Sequence, residues 1–182
     1  GHNNTTGPDN VFIGEESGYE NTTGRDNVFL GEDSGYSNTT ADDNTAIGNQ
    51  ALRTNQTGSR NTAVGNEAGW DILNATRNTV VGNAAGVDIG EGNCNTMLGD
   101  NAGANTEYAD FNTFIGTQSG HDNNRTAVTN NANRYTALGA FSGWVNREGE
   151  DNVWIGMFAD SGSWIGSFSH DTLVTDMQSS TS

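Results

Sequence analysis

The sequence has no lysine, one proline (Pro8) and one cysteine (Cys94) among its 182 residues. A single cysteine excludes an intrachain disulfide, so cysteine usage does not identify the redox compartment. The seven basic residues are all arginines and face 23 acidic residues, which gives a formal net charge of -16. Such a charge repels nucleic-acid phosphates and anionic lipid headgroups, so neither nucleic acid nor a bare membrane is an expected partner.

Apolar residues are also scarce, at 32% of the chain. No apolar run approaches the ~20 residues that a membrane-spanning helix needs, so we expect no membrane insertion by this segment. We recognise no signal peptide, and Gly1-His2 is consistent with a cloning scar on a fragment of a longer protein. With so few apolar residues, any hydrophobic core is expected to be thin and repeated.

A strict internal repeat organises the chain. The pattern Asn-(Thr/Val)-x-(Ile/Leu/Val)-Gly recurs every 17 residues, and turn-forming runs such as Asn21-Thr22-Thr23-Gly24 separate successive copies. Each unit therefore predicts a strand, a tight turn, a short second strand and a second turn. The regular copies begin at Asn10, Asn27, Asn44, Asn61, Asn78, Asn95 and Asn112.

The period divides the chain into segments. Residues 1–9 form an N-terminal edge, 10–122 seven regular coils, 123–134 an Asn-rich insertion, 135–159 two further coils, and 160–182 a C-terminal cap and tail. The predicted fold is an all-β parallel β-roll, a β-solenoid of about nine 17-residue coils. Nine coils at ~4.8 Å per rung predict a rod about 40 Å long.

The alternation of side chains along a strand separates the apolar columns into two faces. We place the second and fourth motif positions, such as Val11 and Ile13, inside the coil. The third position then points outward although it is also apolar, and strands that are apolar on both faces are normally covered on both. We therefore expect it to form an interface with copies of the same chain. This candidate interface comprises Phe12, Phe29, Ala46, Ala63, Val80, Met97, Phe114, Ala137 and Trp154.

Two stretches carry a resemblance to a known family. Asn61-Thr62-Ala63-Val64-Gly65-Asn66-Glu67-Ala68-Gly69 and Asn44-Thr45-Ala46-Ile47-Gly48-Asn49-Gln50-Ala51-Leu52 resemble the head repeats of trimeric autotransporter adhesins (the YadA-like head) and repeats of bacteriophage tail fibres. The resemblance covers residues 10–156. It implies a left-handed β-roll, a homotrimer and a role in binding host surfaces.

These features predict a non-enzymatic adhesion or receptor-binding rod. Its expected location is extracellular, on a bacterial surface or a virion tail fibre, and its expected partner is a host-surface glycan or protein. Aromatic residues concentrate towards the C-terminus, where they would form a cap, a receptor-binding tip, or both, because Trp and Tyr stack on ligands while Asn donates hydrogen bonds. The candidate ligand-binding residues are Tyr135, Trp144, Trp154, Trp164, Asn130 and Asn131.

Acidic residues also recur with the period. Asp9, Asp26 and Asp43 occupy equivalent positions, and calcium favours such oxygen ligands, so they are weak metal candidates. Solvated turn residues are the favoured interpretation because no calcium-loop motif is present. We expect no other cofactor.

Three further functions remain open. The chain would serve as a structural spacer if recognition resides elsewhere in a longer fibre. A polysaccharide-cleaving fibre would use paired carboxylates, but no pair stands out among the 23 acids. An ice-binding solenoid would display a flat threonine array, whereas we place the threonine column inside the coil.

Overall fold

The computed structural model describes residues 1–123, 132–146, 149–159 and, for the backbone alone, 173–175. Over these ranges the chain is all-β, and every strand has three residues or fewer. The strands are β1 (Val11–Ile13), β2 (Val28–Leu30), β3 (Thr45–Ile47), β4 (Thr62–Val64), β5 (Asp71–Ile72), β6 (Thr79–Val81), β7 (Asp88–Gly90), β8 (Thr96–Leu98), β9 (Thr113–Ile115), β10 (Asp122–Asn123), β11 (Thr136–Leu138), β12 (Val145–Asn146), β13 (Val153–Ile155) and β14 (Leu173–Thr175).

The motif strands form one parallel sheet, which makes the chain a β-solenoid. Its ten strands follow the order β1-β2-β3-β4-β6-β8-β9-β11-β13-β14, and each regular step pairs a residue with the one 17 positions later, as Val11 pairs with Val28. Between β9 and β11 the offset is 23, since Thr113 pairs with Thr136. The insertion therefore leaves the ladder intact. Two small parallel sheets, β5-β7 and β10-β12, lie outside this main sheet.

The structure reverses our assignment of the two strand faces. The third motif position points into the coil, where Phe29, Met97 and Phe114 are completely buried and Trp154 is 4% exposed. The second and fourth positions point outward, as in Val11 and Ile13. The predicted interface residues therefore form the chain's own core and the proposed interface through them is wrong. These residues are Phe12, which is half-buried at the first coil, and Phe29, Ala46, Ala63, Val80, Met97, Phe114, Ala137 and Trp154.

The glycine four residues after the motif glycine explains why the third position fits inside. An added Cβ on Gly35 would lie 2.4 Å from Cε2 of Phe29, so the glycine leaves the space that the ring occupies. Coil three inverts this arrangement. Leu52 replaces the glycine at φ 51° and is fully buried, opposite the small Ala46. In these two coils one large and one small side chain therefore fill the cross-section, as close packing requires.

Tyr135 follows the same rule in the eighth coil. It stands where other coils have the first motif asparagine, and its ring is fully buried. Ring centroids lie 5.5 Å from Phe114 and 5.0 Å from Trp154, both in edge-to-face geometry. Because Ala137 is the third-position residue of this coil, Tyr135 occupies the core volume that the alanine leaves.

The motif asparagine forms a buried ladder along the solenoid. Asn61 Oδ1 accepts a hydrogen bond from the backbone N–H of Asn78 (3.0 Å), and its Nδ2 donates to the carbonyl of Ala75 (2.8 Å). Equivalent bonds link Asn27 to Asn10 and Asn44 to Asn27. Each amide thus satisfies two backbone groups that the thin coil buries away from water. The repeated asparagine is therefore a structural element of the coil.

Candidate functional site

The outer side of the main sheet is an uncharged strip of aliphatic and threonine side chains, which we call the strand face. It consists of the second and fourth motif positions of β1, β2, β3, β4, β6, β8, β9, β11 and β13, which are Val, Ile, Leu or Thr in every strand. Eight of its aliphatic residues are 36 to 57% exposed: Val11, Ile13, Val28, Leu30, Ile47, Leu98, Ile115 and Ile155. The strand face therefore carries no charged residue, although the chain has a formal net charge of -16.

The strand face is large enough to serve as an interface with another protein. Side chains of these sizes, exposed to this extent on successive strands, present on the order of 800 Å² of accessible surface, close to one partner's share of a standard protein interface. Contiguous apolar patches on monomeric proteins are usually smaller and mark binding sites when they are this large. The strand face is therefore a candidate interaction surface.

An aromatic column runs along another side of the coil. Rings of His2 and Tyr19 stack at 5.0 Å with a 4° tilt, and rings of Tyr19 and Tyr36 at 5.2 Å with a 6° tilt. Arg53 lies over the Tyr36 ring, 5.3 Å from its centroid. Burial, together with the Glu16 carboxylate, raises the pKa of Tyr36. Because the ring faces cover one another, they are not free to stack on a sugar.

Trp144 belongs to the same column but is arranged differently. It is 45% exposed, and its ring is tilted by 54° to the His121 ring at 6.0 Å. The backbone of Asp122, in the preceding coil, is bonded to that of Trp144, because the Asp122 N–H donates to the Trp144 carbonyl (2.8 Å). Asp122 Oδ1 lies 3.2 Å from His121 Nδ1 and accepts from Asn105 Nδ2 (2.7 Å). An exposed indole beside an imidazole that itself lies next to a carboxylate can contact the apolar and the hydroxyl groups of a sugar.

Of the other predicted ligand-binding residues, two lie in the core, where they cannot contact a ligand. Tyr135 is fully buried and Trp154 is 4% exposed, so both pack in the core and their prediction as ligand contacts is wrong. Asn130, Asn131 and Trp164 lie outside the described residues. Trp144 is therefore the predicted contact that the structure leaves accessible.

A second exposed aromatic group, the corner cluster, lies at the last two described coils and comprises Phe141, Met157 and Phe158. The rings of Phe141 and Phe158 stack at 5.0 Å with a 14° tilt, while Met157 and Phe158 are 63% and 60% exposed. Both phenylalanines have left-handed backbone conformations, with φ values of 56° and 59°. Such a conformation costs roughly 1 kcal/mol for a residue other than glycine. Phe141 and Phe158 belong to the C-terminal concentration of aromatic residues seen in the sequence but were not named there as candidate contacts. The signal was available, because earlier coils have polar or small residues at the two phenylalanine positions.

The three aspartates predicted as weak metal candidates are not arranged as a metal site. Asp9, Asp26 and Asp43 occupy equivalent left-handed turn positions, with φ between 56° and 61°. Asp43 Oδ2 lies 3.8 Å from Nε of Arg60, which follows it in the column. Over residues 1–123, 132–146 and 149–159, no three His, Cys, Asp or Glu side chains come together as a potential metal site.

Comparison with known proteins gives no relative from which a function could be taken. Neither a family model, nor a curated protein, nor a solved structure matches the chain. Within its described part, the chain forms no helix that is long and apolar enough to cross a bilayer.

Proposed function

We propose that the protein is a non-enzymatic, homotrimeric surface-binding rod, of the kind found in adhesin heads and phage tail fibres, that recognises a host-surface glycan or protein outside the cell. The observation that carries the proposal is the strand face, an uncharged strip of aliphatic and threonine side chains along an otherwise acidic solenoid. A second copy of the same chain is the partner that the strip suits best. It offers an apolar surface of the same length and the same rung spacing. The number three and the left-handed coil come from the resemblance to the YadA-like head.

Self-association can be tested with one introduced charge. Leu98 is 46% exposed in the middle of the strand face, so Leu98→Glu would bury a carboxylate between copies and weaken association by at least 100-fold. Light scattering should give the mass of three chains for the unmodified protein and of one chain for this variant. Gln56→Glu adds the same charge at an exposed turn and should leave the mass unchanged.

Salt provides an independent check of the same interface. Each copy carries a formal charge of -16, so association brings like charges together. Screening this repulsion should strengthen the trimer as ionic strength rises. If the protein remained monomeric at high salt and high concentration, the proposed trimer would be wrong.

The proposed ligand contact is Trp144, supported by its exposure and by the neighbouring Asp122, His121 and Asn105. Trp144→Ala should weaken binding to a glycan array by about tenfold or more, as loss of an aromatic contact does elsewhere. Phe111→Ala is the matched control, because Phe111 is also an exposed aromatic residue but belongs to a different column. Equal binding by both variants and the unmodified protein would rule out Trp144 as the contact.

Ice binding is the second candidate, and a specific observation favours it. The threonine column lies on the strand face and not inside the coil, and Thr45, Thr62, Thr79, Thr96, Thr113 and Thr136 follow one another there in register. A flat, regular array of hydroxyl and methyl groups can order water in a lattice. This function needs an uncovered strand face. It therefore predicts a monomer with thermal hysteresis, whereas the surface-binding rod predicts a trimer without it.

A further inference from the structure

The strand face is so regular that two copies of it could pack in more than one register. Its rungs are almost identical, with Thr at the second position in β3, β4, β6, β8, β9 and β11 and an aliphatic residue at the fourth position throughout. Two such faces can slide past one another by one rung, ~4.8 Å, and still keep all other rungs in contact. Closure of a three-membered ring favours copies at equal height, but two copies that meet on the strand face alone would associate without a defined register.

On the side of the strand face that follows the fourth motif position, the corner cluster breaks this regularity once along the described coils. At the two positions after the motif glycine, coils one and two have Glu15-Glu16 and Glu32-Asp33, whereas the last two have Ala140-Phe141 and Met157-Phe158. The cluster adjoins the strand face, because only Gly156 separates Met157 from Ile155, a strand-face residue that is 45% exposed. Met and Phe are also residue types that protein interfaces favour.

We propose that Phe141, Met157 and Phe158 contact a neighbouring copy of the chain and fix the register in which the strand faces pack. The inference rests on the proposed self-association and adds how the copies are aligned. A one-rung slip brings Phe141 of one copy opposite Phe158 of the other and leaves the remaining members of each cluster in water. The aligned arrangement buries more apolar surface and therefore dominates. Phe158, which is 60% exposed at a left-handed φ of 59°, would gain a buried contact in the assembly.

The test reads the register by disulfide cross-linking. Single cysteines are placed at Thr45, Thr62, Thr79, Thr96 or Thr113, all on the strand face, in a Cys94→Ser background. These variants are mixed in pairs and oxidised with a copper catalyst, and the cross-linked peptides are identified by mass spectrometry. With the cluster intact, each position should cross-link to one position of the neighbour. With Phe141→Gln and Phe158→Gln, products displaced by one rung should rise to at least a tenth of the total.

The substituted glutamine copies Gln50 and Gln118, which occupy the same place in two other coils with φ of 56° and 53°, so the fold should tolerate it. Phe111→Gln, which removes an exposed aromatic residue from another column, is the matched control and should keep the single register. A single register in the Phe141→Gln, Phe158→Gln variant would overturn the inference while leaving self-association standing. Loss of the assembly in that variant alone would also overturn it, since the cluster would then supply affinity and not alignment. A monomeric unmodified protein would overturn both proposals.

Discussion

Asn61→Asp is expected to lower the free energy of unfolding by about 4 kcal/mol, because it buries a carboxylate and removes a donor. Asn61 is fully buried, accepts from the Asn78 N–H (3.0 Å) and donates to the Ala75 carbonyl (2.8 Å). An ionised carboxylate still accepts the first bond. It cannot donate the second, and it faces the lone pairs of the carbonyl oxygen.

The loss should depend on pH in a defined direction. Burial beside a carbonyl raises the folded-state pKa of the introduced carboxyl above its unfolded value. The destabilisation is therefore complete at neutral pH and is relieved as the pH falls through the raised pKa, where the protonated acid can donate to Ala75. Chemical denaturation followed by circular dichroism at pH 7 and pH 4.5 measures this difference, relative to the unmodified protein at each pH.

Asn66→Asp is the matched control for this substitution. Asn66 lies on the exposed side of the same coil, where its Nδ2 donates to Asn83 Oδ1 at 3.3 Å. Adding a charge there should change stability by less than about 0.5 kcal/mol. Equal effects of the two substitutions would show that the motif asparagine has no special structural role.

The sequence was sufficient to predict the repeat, the parallel stacking and the register. These follow from the 17-residue period, because equivalent residues of successive coils must align if each coil has the same length. The pairing of Val11 with Val28 and of Thr45 with Thr62 agrees with that expectation. The spacing of the motif was therefore enough to predict how the coils stack and which residues pair.

The orientation of the strands could not be obtained in the same way. Alternation separates Phe12 from Val11 and Ile13 but does not say which of the two faces is inside when both are apolar. The signal was present four residues after each motif glycine, in the glycine column of Gly18 and Gly35. Without a Cβ, Gly35 makes room for Phe29, and this requirement becomes visible only when the coil is closed.

The error about the ligand-binding residues follows from the error about the faces. Trp154 stands in the third motif column, and Tyr135 takes the place of the buried motif asparagine, so both become core residues once the third position points inward. Trp144 belongs to a column outside the strand and kept its predicted exposure. Its neighbours Asp122 and Asn105 could not be identified beforehand, because the second short sheet that brings β10 beside β12 has no regular motif.

The packing of the core leads to the second large effect. Gly35→Leu should lower the free energy of unfolding by about 4 kcal/mol, because its Cβ alone would lie 2.4 Å from the Phe29 ring at a backbone φ of 59°. Phe29→Ala should cost about 4 kcal/mol by leaving a cavity. The two substitutions together reproduce the Ala46 and Leu52 pair of the next coil.

The double variant should therefore be far more stable than the sum of the two losses predicts. We expect a total loss of about 3 kcal/mol or less, since the introduced leucine occupies part of the volume of the removed ring and Leu52 already adopts a φ of 51°. A coupling energy of several kcal/mol in this double-mutant cycle would be the signature of one shared core volume. Gly35→Leu combined with Phe114→Ala is the control, because these residues lie in distant coils and their effects should add. Additive losses in the Phe29 pair would mean that the large and small residues of each coil do not fill the same space.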